Sequence, residues 1–156
     1  MTIKSFRYHM ADGEIVEVNL KSKEGKLGYR IKRFELMFAN VTDSIKSVVK
    51  IYNTNPFVTT GTPDGLINFE DQNLIAAGIL SGKADQTQYP EDMVTVFDQE
   101  TFNQNIFITH SEIAGNQPIN VYLDLEQFTL NENEATYATL TSLRSRYEGT
   151  TPAGPS

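Results

Sequence analysis

The chain has 156 residues, 39% hydrophobic and 21% charged, which suits one globular domain with its own core and excludes a disordered or fibrous chain. The net charge of −7 argues against a nucleic-acid-binding protein, which needs a dominant basic face. The absence of cysteine excludes disulfides and thiolate metal sites, and no apolar run approaches the roughly 18–20 residues of a membrane span.

Short β-branched and aromatic runs separated by turn residues dominate the first 130 residues and predict strands. TIKSFRYHM and EIVEVNL flank Asp12-Gly13, a pair that predicts a hairpin turn. In YRIKRFELMF the apolar phase slips between Ile31 and Phe34, which predicts a β-bulge near Lys32-Arg33. Further strands are predicted in SIKSVVKIY, LINF, NLIAAGIL (a strand or a short helix), MVTVF, NIFITHSEI and INVYLDLEQFTL.

The number and spacing of these runs predict the fold class. About eight strands without β-α-β alternation indicate an all-β, antiparallel β-sandwich or jelly roll with a short C-terminal α-helix. We expect one domain over residues 1–148 and a flexible tail over 149–156.

The C-terminal segment NENEATYATLTSLRSRYEG changes to a helical period, and we expect a helix over about 132–148. Asn131 can cap it, with Glu134 three residues further on completing a capping box. Its apolar residues recur three to four positions apart and form one stripe: Tyr137, Leu140, Leu143 and Tyr147.

The last predicted strand, INVYLDLEQFTL (119–130), has one ordinary face and one unusual face. Three aliphatic residues share one face, as a strand covering a core requires. The opposite face combines rings and carboxylates, namely Tyr122, Asp124, Glu126 and Phe128. This composition is typical of a protein interface. Alternatively, the C-terminal helix covers the face within the same subunit.

Charge is unevenly distributed along the chain. Residues 1–50 hold ten Lys/Arg and six Asp/Glu, a net +4, whereas residues 51–156 hold three and fourteen, a net −11. A solvated exterior explains this simply. A sharper hypothesis is that basic and acidic patches of adjacent copies meet head to tail, with Lys32 and Arg33 as candidate contact residues of the basic first third.

Catalytic and cofactor motifs are absent from the sequence, and we expect a protein that is not an enzyme and binds no cofactor. His9 and His110 lack metal-site spacing, so we expect ordinary surface or strand-end histidines. Asp124 and Glu126 lie about 7 Å apart on one strand face, which could suit a glycosidase pair or calcium, although outward carboxylates are ordinary. A sugar-binding platform of Tyr52, Phe57, Tyr89 and Tyr122 is the main alternative function.

Five segments, in order, resemble small structural proteins of marine bacteriophages: YRIKRFELM, SVVKIYNT, LINFEDQNLIAAGIL, TFNQNIFITH and INVYLDLEQFTLNENEATYATLTSLRSR. The resemblance implies a capsid, decoration or cement subunit of sandwich or jelly-roll fold. It also implies a location in the virion after synthesis in the host cytoplasm. Its partners would be copies of itself and another shell protein, with no direct contact to nucleic acid.

Overall fold

The computed structural model describes residues 2–22, 25–56, 61–82, 91–97, 101–131 and 133–140. They form eight strands and one helix, α1, over residues 133–140. The all-β prediction is confirmed, and NLIAAGIL is a strand, but LINF forms no strand and lies in a loop. The strands are β1 (Thr2–Met10), β2 (Ile15–Val18), β3 (Leu27–Phe38), β4 (Ile45–Tyr52), β5 (Leu74–Gly82), β6 (Glu91–Val96), β7 (Ile106–Glu112) and β8 (Ile119–Thr129).

The strands form two antiparallel sheets. One has the order β1-β8-β3 and the other β2-β7-β4-β5-β6. Strand β1 pairs with β8, β2 with β7 and β4 with β5, and β3 lies against β6. This is the pairing of an antiparallel ribbon rolled into a jelly roll, so the first and last strands are neighbours.

The aliphatic sides of the two sheets face each other and form one core. In β8 the core residues Val121, Leu123 and Leu125 are almost completely buried. Gly78 of β5 marks a close approach between the sheets, because a Cβ atom there would lie 2.9 Å from Leu36 Cδ1. The register of β3 against β8 shifts between Ile31 and Arg33, so the predicted bulge is confirmed.

The Asp12-Gly13 turn is present, with Gly13 at φ 82°, but the predicted hairpin is wrong. Strands β1 and β2 belong to different sheets, and the turn carries the chain from one to the other. It is held by His110, a fully buried side chain whose ring nitrogens lie 3.0 Å from Ala11 O and 2.9 Å from Ser47 Oγ. The expected position near a strand end is confirmed for His110, but its expected surface location is wrong because the side chain is buried.

Helix α1 begins as the sequence predicts. The Glu134 amide donates to Asn131 Oδ1 (2.7 Å), and the Asn131 amide donates to Glu134 Oε1 (3.4 Å), which confirms the capping box.

The predicted apolar stripe of α1 is wrong over the described turns. Tyr137 and Leu140 are 75% and 59% exposed, while Ala135 and Ala138 are buried against Leu130. The small alanines let the helix approach closely. The rest of the stripe, Leu143 and Tyr147, and the predicted tail 149–156 lie outside the described residues.

The connection between β4 and β5 is fastened to the outer side of the five-stranded sheet. Lys50, whose side chain is 4% exposed, donates to Asp64 Oδ1 (3.0 Å) and to the Leu66 carbonyl (2.5 Å). Partial burial raises the pKa of Asp64, but the hydrogen bonds from Lys50 and the Leu66 amide outweigh it, so that pKa is lowered. The buried ammonium therefore depends on a carboxylate supplied by the loop.

We expect Asp64→Asn to lower the free energy of unfolding by about 1–3 kcal/mol, because it leaves a buried charge without its counter-ion. The loss is less than for a fully buried pair because Asp64 is 55% exposed. Denaturant titration measures it, with Glu70→Gln, an exposed carboxylate of the same loop, as the matched control. Equal stability of the two variants would show that the pair does not hold the loop.

Tyr52 gives the fold a dependence on alkaline pH. Burial, with the nearby charges of Asp71 and Asp64, raises the pKa of Tyr52 from 10.0 to about 12. Because the folded-state pKa is the higher one, the folded protein keeps a proton that the unfolded chain releases. This stabilisation is complete below about pH 10 and is lost as the pH rises through about 12.

In denaturant titrations from about pH 9 to pH 12, Tyr52→Phe should therefore lose less stability than the wild type. Tyr137→Phe, at a 75% exposed position, is the control and should follow the wild type. Parallel curves for all three proteins would contradict the assignment.

Candidate functional site

The outward side of the three-stranded sheet, called here the outer three-strand face, carries the candidate interface residues. Its central row is contributed by β8, because the buried positions of that strand alternate with half-buried ones. Strand register places Arg7 of β1 and Glu35 of β3 on either side of Tyr122. One step along, Ser5 and Arg33 flank Asp124 in the same way.

Arg33 connects a ring and a carboxylate of this face. Its Nε donates to Glu35 Oε1 at 2.8 Å, and its guanidinium carbon lies 5.5 Å from the centre of the Tyr122 ring. The hydrogen bond and the charge of Glu35 raise the pKa of Arg33. Arg33 therefore remains a fixed positive charge beside one side of the tyrosine ring.

The other members of the central row have partners of the same kind. Lys32 Nζ lies 3.3 Å from Glu126 Oε2, which the bulge permits because it turns both Lys32 and Arg33 outward. Ser5 donates to Asp124 Oδ1 at 2.5 Å, and the Arg30 guanidinium lies 5.4 Å from the Phe128 ring centre.

The structure thus brings together all six predicted interface residues: Lys32, Arg33, Tyr122, Asp124, Glu126 and Phe128. The pairing explains the alternation of rings and carboxylates along β8, because each meets a cation or a hydroxyl from a neighbouring strand.

Within the described residues, helix α1 covers only one end of this face. Its buried side packs on Leu130 and Phe128, at one end of β8. Lys32 and Arg33 remain 46% and 57% exposed. The alternative in which the helix covers the face therefore holds only at Phe128 within the described turns, and residues 141–148 of the predicted helix lie outside the described residues.

A groove of about 780 Å³ crosses the opposite end of the face. His9 and Asn120 lie on adjacent strands at its floor, with His9 Nδ1 3.0 Å from Asn120 Oδ1. No local sequence pattern indicates this groove, because its residues come from four strands whose pairing is not encoded locally. Its polar and apolar lining includes Arg7, Glu35, Met37, Asp92 and Tyr122.

Two other sites were predicted from the sequence, a sugar platform and the carboxylate pair of Asp124 and Glu126. Tyr52 is buried beside the loop on the five-stranded sheet, while Tyr122 lies on the opposite outer side of the sandwich, so the predicted sugar platform is wrong. Phe57 and Tyr89 lie outside the described residues. Asp124 and Glu126 are engaged by Ser5 and Lys32, and the described residues contain no group of three His, Cys, Asp or Glu that could hold a metal ion.

Comparison with protein-family models, curated proteins and solved structures gives no match. Within the described part of the chain, no helix is long and apolar enough to cross a membrane. The function is accordingly inferred from the chain's own geometry.

Proposed function

We propose that the protein is a non-enzymatic structural subunit of a virus particle, acting through repeated contacts with its own copies and with another shell protein. The observation that carries the proposal is the outer three-strand face. It is a surface of rings and paired charges that the described part of α1 covers only at its Phe128 end, while Lys32 and Arg33 stay 46% and 57% exposed.

The fold supports this role. Jelly rolls serve in viral capsids, in lectins and in cupin domains, so the strand order is compatible with a shell subunit. Since one fold hosts many functions, the fold alone does not specify a shell subunit, and that role is inferred from the surface. The same role is the one implied by the resemblance of five sequence segments to phage structural proteins, for which the comparisons give no match.

The two outer sides of the sandwich differ in charge. Four cations, Arg7, Arg30, Lys32 and Arg33, stand on the outer three-strand face against three carboxylates, Glu35, Asp124 and Glu126. On the opposite side, the described part of the loop before β5 carries Asp64, Glu70 and Asp71, and its Asp64 is paired with Lys50.

One outer side can thus approach the other side of a second copy with favourable electrostatics. Such a head-to-tail contact repeats from copy to copy. A contact that is weak by itself becomes strong in a particle, because each subunit already held by its neighbours meets the next at high effective concentration.

Light scattering after size exclusion, over a range of protein and salt concentrations, tests this proposal. We expect a mass above that of one chain at low salt, a decrease with added salt because screening weakens exposed charge contacts, and smaller assemblies for Lys32→Glu and for Arg33→Glu. Lys21→Glu makes the same charge change at an exposed position outside the face and should assemble like the wild type.

Folding must be retained in each variant. It should be, since both side chains are about half exposed and neither reversal buries a charge. A monomer at every concentration, or assembly indifferent to salt and to both reversals, would contradict the proposal.

The groove favours carbohydrate binding as a second candidate function. Arg33 occupies one side of the Tyr122 ring, and the groove lies on the side of Asn120 and His9. The arginine, histidine, amide and carboxyl groups of the lining can donate to and accept from sugar hydroxyls around an aromatic ring. The volume lies in the usual range for small-molecule sites, about 300–1,000 Å³.

A glycan array tests this second candidate. We expect Tyr122→Ala and Asn120→Ala to abolish retention of any bound glycan, and Tyr137→Ala, at an exposed helix position, to leave it unchanged. Retention that survives Tyr122→Ala, or no retained glycan at all, would rule out the groove as a sugar site.

A further inference from the structure

Strand β1 has one ladder partner within the described part of the chain. It pairs with β8 through nine consecutive positions, from Thr2↔Gln127 to Met10↔Ile119, without a register shift. Among the described residues its other edge has no ladder partner, so its outward N–H and C=O groups line a regular strand that contains no proline.

The remaining edges of the described sheets are better protected. Strands β2 and β6 have only four and six residues. Strand β3 is interrupted by its bulge, lies against β6 and forms an isolated bridge from Tyr29 to Phe102. Short length, bulges, covering segments and charged side chains are the usual means by which edges avoid pairing; within the described residues β1 has only the last of these, Lys4 and Arg7.

We propose that β1 pairs antiparallel with β1 of a second copy about a twofold axis at Phe6, which joins two three-stranded sheets into one of six strands. The inference rests on the self-association proposed above and specifies one of its contacts. The β1 pairing can be wrong while the self-association is right. The side chains of β1 favour this occupant and this register.

A twofold axis perpendicular to the sheet pairs residues whose numbers add up to an even sum, because both strands must keep the same face toward their cores. Centring the axis on Lys4 or Arg7 sets like charges against each other, which is destabilising. Centring it on Phe6 engages all nine residues of the strand and opposes no like charges.

In this register Ser5 faces Arg7 of the second copy, Ile3 faces His9, and Lys4 faces Tyr8. The core-facing side of β1 adds an aromatic contact. Phe6 and Tyr8 are half-buried and stack with their rings nearly parallel, centroids 6.4 Å apart. The axis sets Phe6 beside its own copy, so four rings form one continuous row, with Lys4 of each chain beside Tyr8 of the other.

Cysteine pairing can test this register because the natural chain has no cysteine. Positions 5 and 7 of opposing copies lie directly opposite, about 4.5–5.5 Å between Cα atoms, whereas position 5 and its own copy are about 8 Å apart. A disulfide forms within roughly 4.4–6.8 Å. Ser5→Cys chains mixed with Arg7→Cys chains should therefore cross-link under mild oxidation, and each variant alone should not.

The pattern of cross-linking decides the inference. Cross-links confined to the mixture support it. If the mixture gives no cross-link, or if either variant alone cross-links equally well, the β1 pairing is overturned. If light scattering nevertheless shows assembly, the self-association in the proposed function takes place through another surface. A cross-linked dimer that never forms larger assemblies would uphold the β1 pairing and contradict the shell-subunit role.

A second measurement needs no cysteine. Ser5→Lys sets the new lysine against Arg7 of the second copy at two symmetric positions, and the dimer dissociation constant should rise roughly tenfold. Ser5→Ala is the matched control, since it also removes the hydrogen bond to Asp124 but adds no charge. Equal dissociation constants for these two variants would overturn the register.

Discussion

The packing of Val121, Leu123 and Leu125 against the five-stranded sheet holds the central strand of the other sheet in one register. All three are 2% exposed or less. A slip of one residue would exchange the two sides of β8 and force Asp124 and Glu126 into the core. The aliphatic contact inside therefore positions the rings and charges outside, and the bulge in β3 lets Lys32 and Arg33 meet them without disturbing the core.

Features encoded by neighbouring residues were predictable, and features that depend on distant pairing were not. The β8 alternation, the β3 bulge and the Asn131 capping box are local patterns, and each is present. Asp12-Gly13 has the same turn chemistry whether it closes a hairpin or links two sheets, so its hairpin was a wrong prediction. The groove requires register between strands more than a hundred residues apart, as in His9↔Asn120, and no local pattern supplies it.

The two outer sides of the sandwich differ in how they are covered and in how their charges are paired. The loop before β5 is fastened to the outer side of the five-stranded sheet through the buried Lys50, while Lys46 and Met93 of that sheet stay exposed. The three-stranded sheet keeps an open surface whose charges are paired sideways, between strands. The open strand surface and the β1 edge belong to this smaller sheet, and the groove lies between its three strands and Asp92 of β6. The proposed β1 contact lies wholly on this sheet, and the proposed head-to-tail contact joins its outer face to the opposite side of a second copy.

The position of β8 also governs the order in which the molecule can form. Strands β1 and β3 pair with β8 and not with each other, so a chain growing from its N-terminus has no ladder in this sheet until residues 119–129 emerge. Contacts of such high sequence separation place β-sandwiches among the slow folders, in the range of about milliseconds to seconds. Until then both edges of β1 are unpaired, and β8 of a neighbouring nascent chain can pair with it before β8 of its own chain does. Exchange of this last strand between chains is the misassembly that this topology invites, and crowding on a polysome favours it.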